Sequence, residues 1–381
     1  MLYVGIDQHR KQLTVNVRDE SGNVILRRQV STEWKKVRAF FDEVRDLAQA
    51  HDGYMSVVEI CGFNDWLLKL LPEHGCRETV VVQPGEQSSH KTDRRDASGL
   101  SETLWINRDR ISQGLPVRGL RRIQLPDPAA QGDRRLTSQR HDLGRELTRS
   151  INRLKAVLRR HNLEQECPTK GIQTKRARIW LNELPLSPVE RAELNHQLAR
   201  QDLLRKQLNE LQIAIFKRFE SNPTAQLIAT MPGAAAYSAL GLACRIGDIR
   251  RFKHPRSLAN YWGLTPGSRN SGETDRLGSI TKRGSALARF LLGQLVLHVL
   301  RKDSWMRLWF RQIKRRRGSK IARVAVMRRM STILWHMVSK QQPYLYGGPP
   351  RARLSRSTGP DRPAETERPA GSEQPASPNR S

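Results

Sequence analysis

Cysteine is scarce in this 381-residue chain, which has four, and no two of them form a CxxC pair. This scatter excludes a zinc knuckle, because such a site needs closely spaced ligand pairs. Scarce, unpaired cysteines are typical of reduced thiols in a cytosolic protein. We therefore expect ordinary buried or half-buried residues at Cys61, Cys76, Cys167 and Cys244.

The sequence also has no long apolar run, and we expect no secretory leader. Its longest apolar run, around Phe290–Leu300, is interrupted by Gln294 and His298. It falls short of the roughly 18 residues that a membrane span needs. Met1 leads directly into a strand-like segment, without the charged region and cleavage site of a signal peptide. We therefore expect no membrane partner and a cytoplasmic location.

Acidic residues are outnumbered by basic ones, with 37 Asp and Glu against 67 Lys and Arg, which gives a net charge of +30. Lys and Arg side chains neutralise phosphates and release counterions, so this excess favours a nucleic-acid partner. The alternative is a secreted or membrane-surface basic protein. The length allows two or three domains with a sizeable core.

The region 1–130 has the pattern of an α/β domain. Three strand-like segments open it, and helices then alternate with further strands, which predicts a mixed sheet covered by helices. The predicted strands are Leu2–Asp7, Leu13–Asp19, Asn23–Val30, Tyr54–Ile60 and Thr79–Gln83. One predicted helix begins near Thr32, a second begins near Asn64, and a third runs over about Lys91–Asn107.

Three further regions follow, over 131–222, 223–346 and 347–381. The first has two apolar stripes at near-heptad spacing, which predict two long helices paired with each other or with a second protomer as a coiled coil. Two core helices of a bundle fit this pattern equally well. The second region is expected to be an all-α domain with loops. The last has almost no apolar residues and is expected to be a disordered tail.

Four acidic residues stand out in the first region. Asp7 ends the first predicted strand and Glu59 the fourth, while Asp93 and Asp96 share one face of a helix start. Neighbouring carboxylates repel one another unless a cation lies between them, and Mg²⁺ prefers such ligands. Taken singly, each has a structural alternative: Asp7 as a turn residue, and Asp93 and Asp96 as helix-start residues. Glu59 is harder to explain without a partner, because it follows an apolar strand.

The stretches "YVGID", "VVEICG" and "HKTDRRDA" resemble the acidic motifs of the DEDD transposases of the IS110 insertion-sequence family, above all its IS1111 subgroup. This resemblance implies a RuvC-like domain of RNase H-like fold and a tetrad that binds Mg²⁺ or Mn²⁺. The tetrad carries over to Asp7, Glu59, Asp93 and Asp96. Gln8 and His9 depart from the family pattern; we expect little consequence, because they flank the acid.

A loop rich in Gly, Ser and Thr, Gly263–Gly284, lies between two apolar helices. Such a loop can approach phosphates closely, and its candidate contacts are Arg269, Arg276, Lys282 and Arg283. The segment is similar to the C-terminal domain of the same family, which implies a nucleophilic serine at Ser271, in a composite site formed with another protomer's acidic domain. By spacing alone Ser271 is a turn residue. The weaker candidates are Ser268, Ser279 and Ser285.

A basic run follows near the end of the third region. Lys314, Arg315, Arg316 and Arg317 are expected to contact phosphates or to form a solvated helix end. The aromatic residues before them, Trp305, Trp309 and Phe310, are expected in the core, because they lie at helical spacing.

The predicted function is a DNA recombinase that cuts and rejoins the ends of an insertion sequence. The resemblance implies further partners: a non-coding guide RNA that pairs with target and donor DNA, and further copies of the chain in a dimer or tetramer. It also implies a bacterial, nucleoid-associated protein. Two alternatives stay open. One is a metal-dependent, structure-selective DNA nuclease without a covalent intermediate, and the other is a non-catalytic nucleic-acid-binding protein.

Overall fold

The computed structural model describes residues 1–83, 93–115, 117–119, 122–271 and 274–346. Contacts divide the chain into two compact units, Met1–Asp127 and Pro128–Ser381. The finer division at residues 130, 222 and 346 stays a prediction. None of the helices in the described ranges is long and apolar enough to cross a membrane. All four cysteines are free thiols, as expected.

The first unit is built on a five-stranded mixed sheet. Its strands are β1 (Leu2–Gln8), β2 (Gln12–Arg18), β3 (Val24–Ser31), β4 (Tyr54–Glu59) and β5 (Cys76–Val82). The order across the sheet is β3-β2-β1-β4-β5. β1 pairs antiparallel with β2 and parallel with β4. The predicted mixed sheet is confirmed, although β5 begins at Cys76 instead of Thr79.

Helices cover both faces of this sheet. They are α1 (Trp34–Gln49), α2 (Asp65–Glu73), α3 (Asp93–Ile106) and α4 (Arg108–Ser112). Because side chains alternate along a strand, each face has its own apolar cluster. Val4 and Ile6 of β1 share a cluster with α1 and α2, whereas Tyr3 shares one with Leu100 and Leu104 of α3. The odd-numbered positions of β1 therefore face α3.

Helix α3 lies directly on β1, with backbone against backbone. A Cβ atom at Gly5 would lie 2.3 Å from the carbonyl oxygen of Ala97 and 2.4 Å from the amide nitrogen of Ser101. Further along the helix, the indole Nε1 of Trp105 donates to the carbonyl oxygen of Glu20 at 3.0 Å, beyond the end of β2. The helix thus runs opposite to β1, and its first turn lies toward the C-terminal end of that strand.

The second unit is mainly helical. Its helices are α5 (Pro128–Arg160), α6 (Lys175–Glu183), α7 (Pro188–Glu220), α8 (Pro223–Ala229), α9 (Ala236–Ile246), α10 (Pro255–Tyr261), α11 (Ala286–Lys302) and α12 (Ser304–Lys340). The long helices α5 and α7 pair with each other within the chain. The expected all-α domain needs one correction: β6 (Pro266–Ser271) and β7 (Thr274–Ile280) form an antiparallel hairpin. The alternation of apolar and polar residues that indicates a strand is hard to recognise there, because the segment is rich in Gly, Ser and Arg.

A buried arginine ties α5 to α9. Arg245 is 6% exposed, and its guanidinium donates to the hydroxyls of Thr137 and Ser138 on α5, each at 2.9 Å. It also donates to the carbonyl oxygen of Gly241 at 2.9 Å. Burial lowers the pKa of Arg245. These neutral acceptors satisfy the guanidinium, which fixes the start of α5 against α9.

Helix α12 consists of two helices that fold back on each other. Gly318 interrupts it with φ 82° and ψ 167°. The guanidinium of Arg329 lies 4.9 Å from the ring centre of Trp305, a contact that a straight helix would forbid. Near the ends, the Tyr344 hydroxyl donates to a carboxylate oxygen of buried Asp303 at 2.8 Å. Trp305, Trp309 and Phe310 pack against the core, as predicted.

The contact between α3 and β1 leads to a paired stability test. Gly5→Ala should destabilise the first unit by about 3 kcal/mol or more, because backbone atoms of α3 occupy the space that the new methyl group would need. Gly99→Ala, on α3 itself, meets no atom within 4 Å and should stabilise the helix by about 0.5–1 kcal/mol. Urea unfolding followed by hydrogen exchange in peptides from β1 and α3 measures both. Equal effects of the two changes would contradict this packing.

Candidate active site

Asp7 and Glu59 lie side by side at one edge of the sheet. β1 and β4 are parallel, and the last registered pair is Ile6 with Val58. Asp7 and Glu59 are the next residues on the two strands, so their side chains leave the sheet on the same face. That face is the one covered by α3. The first and fourth strands of the chain are thus neighbours in the sheet.

Asp7 is partly enclosed and has a histidine against it. Its side chain is 13% exposed, and one carboxylate oxygen lies 3.0 Å from Nε2 of His9. A protonated imidazole at this distance would form an ion pair with the carboxylate, and a neutral one could donate a hydrogen bond to it. His9 thus contacts the acid directly, which corrects the expectation that it merely flanks Asp7.

Gln8 and Asn64 brace the loop that follows Glu59. The Gln8 side chain is buried, donates to the carbonyl oxygen of Phe63 at 3.1 Å and accepts from the amide nitrogen of Asn64 at 2.8 Å. Asn64 also donates to the carbonyl oxygen of Glu59 at 3.0 Å and accepts from the backbone N–H of Cys61. This network connects the ends of β1 and β4.

The network was not foreseen from the sequence. Asn64 precedes a helix and has the pattern of an N-cap, but its side chain makes no capping hydrogen bond to α2. Gln8, which we expected merely to flank Asp7, also takes part in this hydrogen-bond network. The one available signal was a polar residue that continues an otherwise buried strand.

The first turn of α3 brings the other two acids toward the same edge. Gly5 contacts the helix at Ala97, and Asp7 lies two residues further along β1, about 7 Å away. Asp96 is the residue before Ala97 and Asp93 begins the helix, about one turn earlier. The Asp96 side chain is half-buried, whereas the Asp93 side chain lies outside the described part of the chain.

The acids near this edge are of the right residue type for magnesium, but the described ones do not form a metal-binding group. Carboxylate oxygens are the ligands that Mg²⁺ and Mn²⁺ prefer. Among the side chains that the structure describes, no group of three or more His, Cys, Asp or Glu has the arrangement of a metal site. That search includes Asp7, Glu59 and Asp96 but not Asp93.

Ser271, the candidate nucleophile, lies at the end of a β-strand in the second unit. Ser271 is the last residue of β6 and pairs with Thr274, across residues 272 and 273, which fall outside the described ranges. The side chains of Arg269, Ser271 and Arg276 are also not described. Ser285 has a structural role, since its hydroxyl accepts from the backbone N–H of Ala288 and caps α11.

Two glycines close the base of this hairpin. At Gly284 a Cβ atom would lie 1.9 Å from the carbonyl oxygen of Tyr261, and at Gly263 it would lie 2.0 Å from that of Arg283. Both glycines have positive φ, 90° and 67°. The amide of Lys282 donates to the carbonyl oxygen of Gly263 at 3.1 Å. The two chain segments thus cross in direct backbone contact below the serine.

The candidate phosphate contacts fall in two places of the second unit. Arg269 and Arg276 are cross-strand partners on β6 and β7, and Lys282 and Arg283 are exposed at the base of that hairpin. The others precede the break in α12 at Gly318, with exposed side chains: Lys314, Arg315, Arg316 and Arg317.

Two family models match the chain. A DEDD transposase model of the IS110 type matches residues 4–163, and the model described as "Transposase IS116/IS110/IS902 family" matches residues 225–311. The first match includes all four candidate carboxylates. The second includes the β6–β7 hairpin and Ser271.

Curated relatives match over most of their length. The "Transposase for insertion sequence element IS1111A" of Coxiella burnetii is 28% identical, over 86% of this chain and 87% of the relative. A "Probable family 20 transposase" of Pseudomonas aeruginosa is 24% identical over 90% and 98%, respectively. The "Transposase for insertion sequence element IS1328" of Yersinia enterocolitica is 22% identical over 87% and 95%.

The glycine contacts below Ser271 predict a local loss of structure on substitution. Gly284→Ala should destabilise the base of the hairpin by about 3 kcal/mol, because alanine is strained at φ 90° and its methyl group would overlap a carbonyl oxygen. The amides of Thr281 and Lys282 should then exchange faster with solvent. Gly293→Ala on α11, which meets no atom within 4 Å, is the control. Unchanged exchange in Gly284→Ala would argue against the contact.

Proposed function

This chain belongs to the IS116/IS110/IS902 family of DNA transposases, and we propose that it cuts and rejoins DNA strands by metal-assisted phosphoryl transfer with Ser271 as the nucleophile. The substrates are the ends of an insertion sequence and its target DNA. The proposal depends on two features. One is the sheet edge with Asp7 and Glu59 in the first unit, which we call the acidic edge. The other is the β6–β7 hairpin with Ser271 in the second unit.

The pairing of Asp7 with Glu59 is the observation that supports this function best. Two carboxylates at adjacent positions of parallel strands repel each other, and Asp7 is largely removed from water. The half-buried Asp96 adds a further acid near the same edge. A bound cation would offset this repulsion, and a phosphate oxygen could complete its shell. A sheet edge of this kind, in a unit of this strand order, is the basis for proposing a RuvC-like, RNase H-like domain.

Asp7, Glu59, Asp93 and Asp96 would hold the metal, which we take to be Mg²⁺ or Mn²⁺. When bound, it would stabilise the charge that develops on the attacking and leaving oxygens of a phosphodiester. Three neighbouring side chains position these acids. His9 holds one oxygen of Asp7, while Gln8 and Asn64 fix the backbone at Glu59.

In the proposed reaction the Ser271 Oγ forms a bond to phosphorus as one P–O bond of the DNA backbone breaks. The serine loses its proton, and the released DNA hydroxyl gains one. A hydroxyl of the new partner strand then attacks the same phosphorus, and serine regains its proton. The phosphodiester energy is kept, so no further cofactor is required. We propose that the acidic edge and the serine belong to different protomers of a dimer or tetramer.

The hairpin formed by α12 is proposed as a nucleic-acid contact. Between Asp303 and Gly347 the chain has no Asp or Glu and eleven Lys or Arg. The break at Gly318 gathers the exposed run Lys314–Arg317 at the tip of this hairpin. Cations at such a tip can follow a phosphate backbone without reading its sequence. The family resemblance implies that a non-coding guide RNA chooses the sequence, and we propose the same for this chain; the net charge of +30 is compatible with such a partner.

A second candidate function is a metal-dependent DNA nuclease without a covalent intermediate. The same acidic edge favours it, because two-metal hydrolysis needs carboxylates and a water molecule but no serine. The two functions differ in what Ser271 does, and this provides the test.

Ser271→Ala should abolish strand cleavage and remove a denaturation-resistant adduct between protein and DNA. The measurement combines the full chain, a labelled duplex spanning an element end, RNA transcribed from the element's flank and Mg²⁺, followed by denaturing electrophoresis. With wild-type protein, part of the labelled strand should migrate more slowly, because protein is covalently attached to it. Loss of the nucleophile should reduce the cleavage rate by about 10⁴-fold or more.

Ser279→Ala is the matched control, since this exposed serine lies on β7 of the same hairpin and should retain the adduct. Asp7→Asn should lose cleavage while the protein keeps its fold. Cleavage that survives Ser271→Ala without any adduct would reject the serine mechanism and favour the nuclease.

Removing the charges at the tip of α12 should weaken nucleic-acid binding in a salt-dependent way. For Arg315, Arg316 and Arg317 changed together to Gln, the slope of log K against log salt concentration should become shallower. The expected change is about 0.9 for each phosphate that the tip no longer neutralises. Titration of fluorescent duplex DNA at several salt concentrations measures this slope.

The control removes three charges elsewhere in the same unit. Arg159, Arg160 and Arg178 are ion-paired with Glu164, Glu193 and Asp202, respectively. Changing these three to Gln should alter the slope much less. Equal slopes in the two triple variants would show that net charge, and not the hairpin tip, governs binding.

A further inference from the structure

A cavity of about 480 Å³ lies on the α3 side of the sheet, beside the acidic edge. Its walls are β2, the edge strand β3 and the first half of α3. The residues that carry the argument are Thr14, Asn16, Arg27, Gln29, Ala97 and Ser98. The volume lies in the range of small-molecule sites and accommodates a single nucleotide.

Thr14 gives this cavity a buried and unsatisfied polar group. Its side chain is 4% exposed, and its hydroxyl has no hydrogen-bond partner among the residues that the structure describes. Buried hydroxyls are normally hydrogen-bonded. The neighbouring Asn16 shows the usual case, because its side-chain oxygen accepts from Ser101 at 2.7 Å. The Thr14 hydroxyl is therefore available to a ligand in the cavity.

The register of the sheet places this hydroxyl next to Asp7. Thr14 is the cross-strand partner of Asp7 in the antiparallel pair of β1 and β2. Side chains of such partners leave the sheet on the same face, with Cβ atoms about 5 Å apart. Gln29 of β3 is in turn the partner of Thr14. A row of three side chains thus leads from the acidic edge through the cavity to the edge of the sheet.

The lining suits an anionic strand better than a cation. No acidic residue is among the described residues that line the cavity. Arg27 is exposed at its rim, two positions from Gln29 and on the same face. A guanidinium there can bind a phosphate, and the hydroxyl and amide groups further in can bind a sugar or a base edge.

We propose that this cavity holds one nucleotide of the DNA strand being cut, next to the scissile phosphate. Thr14 donates to an oxygen of that nucleotide, and Arg27 contacts the phosphate on its far side. The inference rests on the proposed role of Asp7, because the register of the sheet gives the cavity its position relative to the cleaved bond.

The test is site-specific photocross-linking with the full-length protein. p-Benzoylphenylalanine replaces Gln29 and, as a control, the exposed Lys35 on α1, which covers the opposite face of the sheet. The probes are a labelled duplex spanning an element end and a separately labelled RNA from the element's flank. Position 29 should cross-link to DNA, at a nucleotide adjacent to the cut site, about tenfold more than position 35.

Two variants then test the chemistry of the cavity in the same cross-linking background. Thr14→Val keeps the shape but removes the hydroxyl, and Arg27→Gln removes the exposed charge without touching the core. Each should raise the DNA concentration for half-maximal cross-linking by about fivefold or more. Arg38→Gln, an exposed arginine on α1, should leave it unchanged.

Three results would overturn the assignment: equal yields from positions 29 and 35, cross-linking to the RNA instead of the DNA, or unchanged binding in both variants. The outcome is independent of the mechanism at the acidic edge, because Asp7→Asn should still cross-link through position 29. If Asp7→Asn also cuts DNA at the wild-type rate, the proposed function fails, whatever the cross-linking shows.

Discussion

The backbone contact between α3 and β1 is the constraint on which the first unit depends. Because Gly5 has no side chain, the helix meets the strand at Ala97 and Ser101 without an intervening layer. This closeness brings the helix start to the edge where Asp7 and Glu59 end their strands. The cavity beside Thr14 lies next to this contact, between α3 and the edge strand β3. The position of α3 over β1, and with it the α3 wall of the cavity, thus depends on the absence of a side chain at Gly5.

Much of this unit was predictable from local pattern. Strand alternation indicated the five strands, and the position of Asp7 and Glu59 at strand ends implied their proximity once β1 and β4 became neighbours. The network of Gln8 and Asn64 was not predictable, since it joins residues 56 positions apart. An N-cap pattern describes only the residues beside it along the chain. The β6–β7 hairpin was missed for a different reason: Gly, Ser and Arg carry little strand preference.

The second unit uses glycine in a comparable way. Gly263 and Gly284 let two chain segments cross below Ser271, and Gly318 lets α12 reverse direction. All three have positive φ, a conformation that other residues rarely adopt. From the sequence each is one glycine in a loop or a basic run. Their function becomes visible only when the groups that approach them are known, here the carbonyl oxygens of Tyr261 and Arg283.

The distribution of charge follows from handling a polyanion. A carboxylate near DNA repels the phosphates unless a cation lies between them. The hairpin of α12 has no acid in its sequence, in keeping with a contact that would bind phosphates directly. Acids elsewhere in the chain are neutralised by arginine, such as Glu164 by Arg159 and Asp202 by Arg178. Asp7 contacts the imidazole of His9 and follows directly after Ile6, whose registered partner Val58 directly precedes Glu59. Two carboxylates held this close repel each other, which is the electrostatic reason for proposing a metal ion at this edge together with its phosphate substrate.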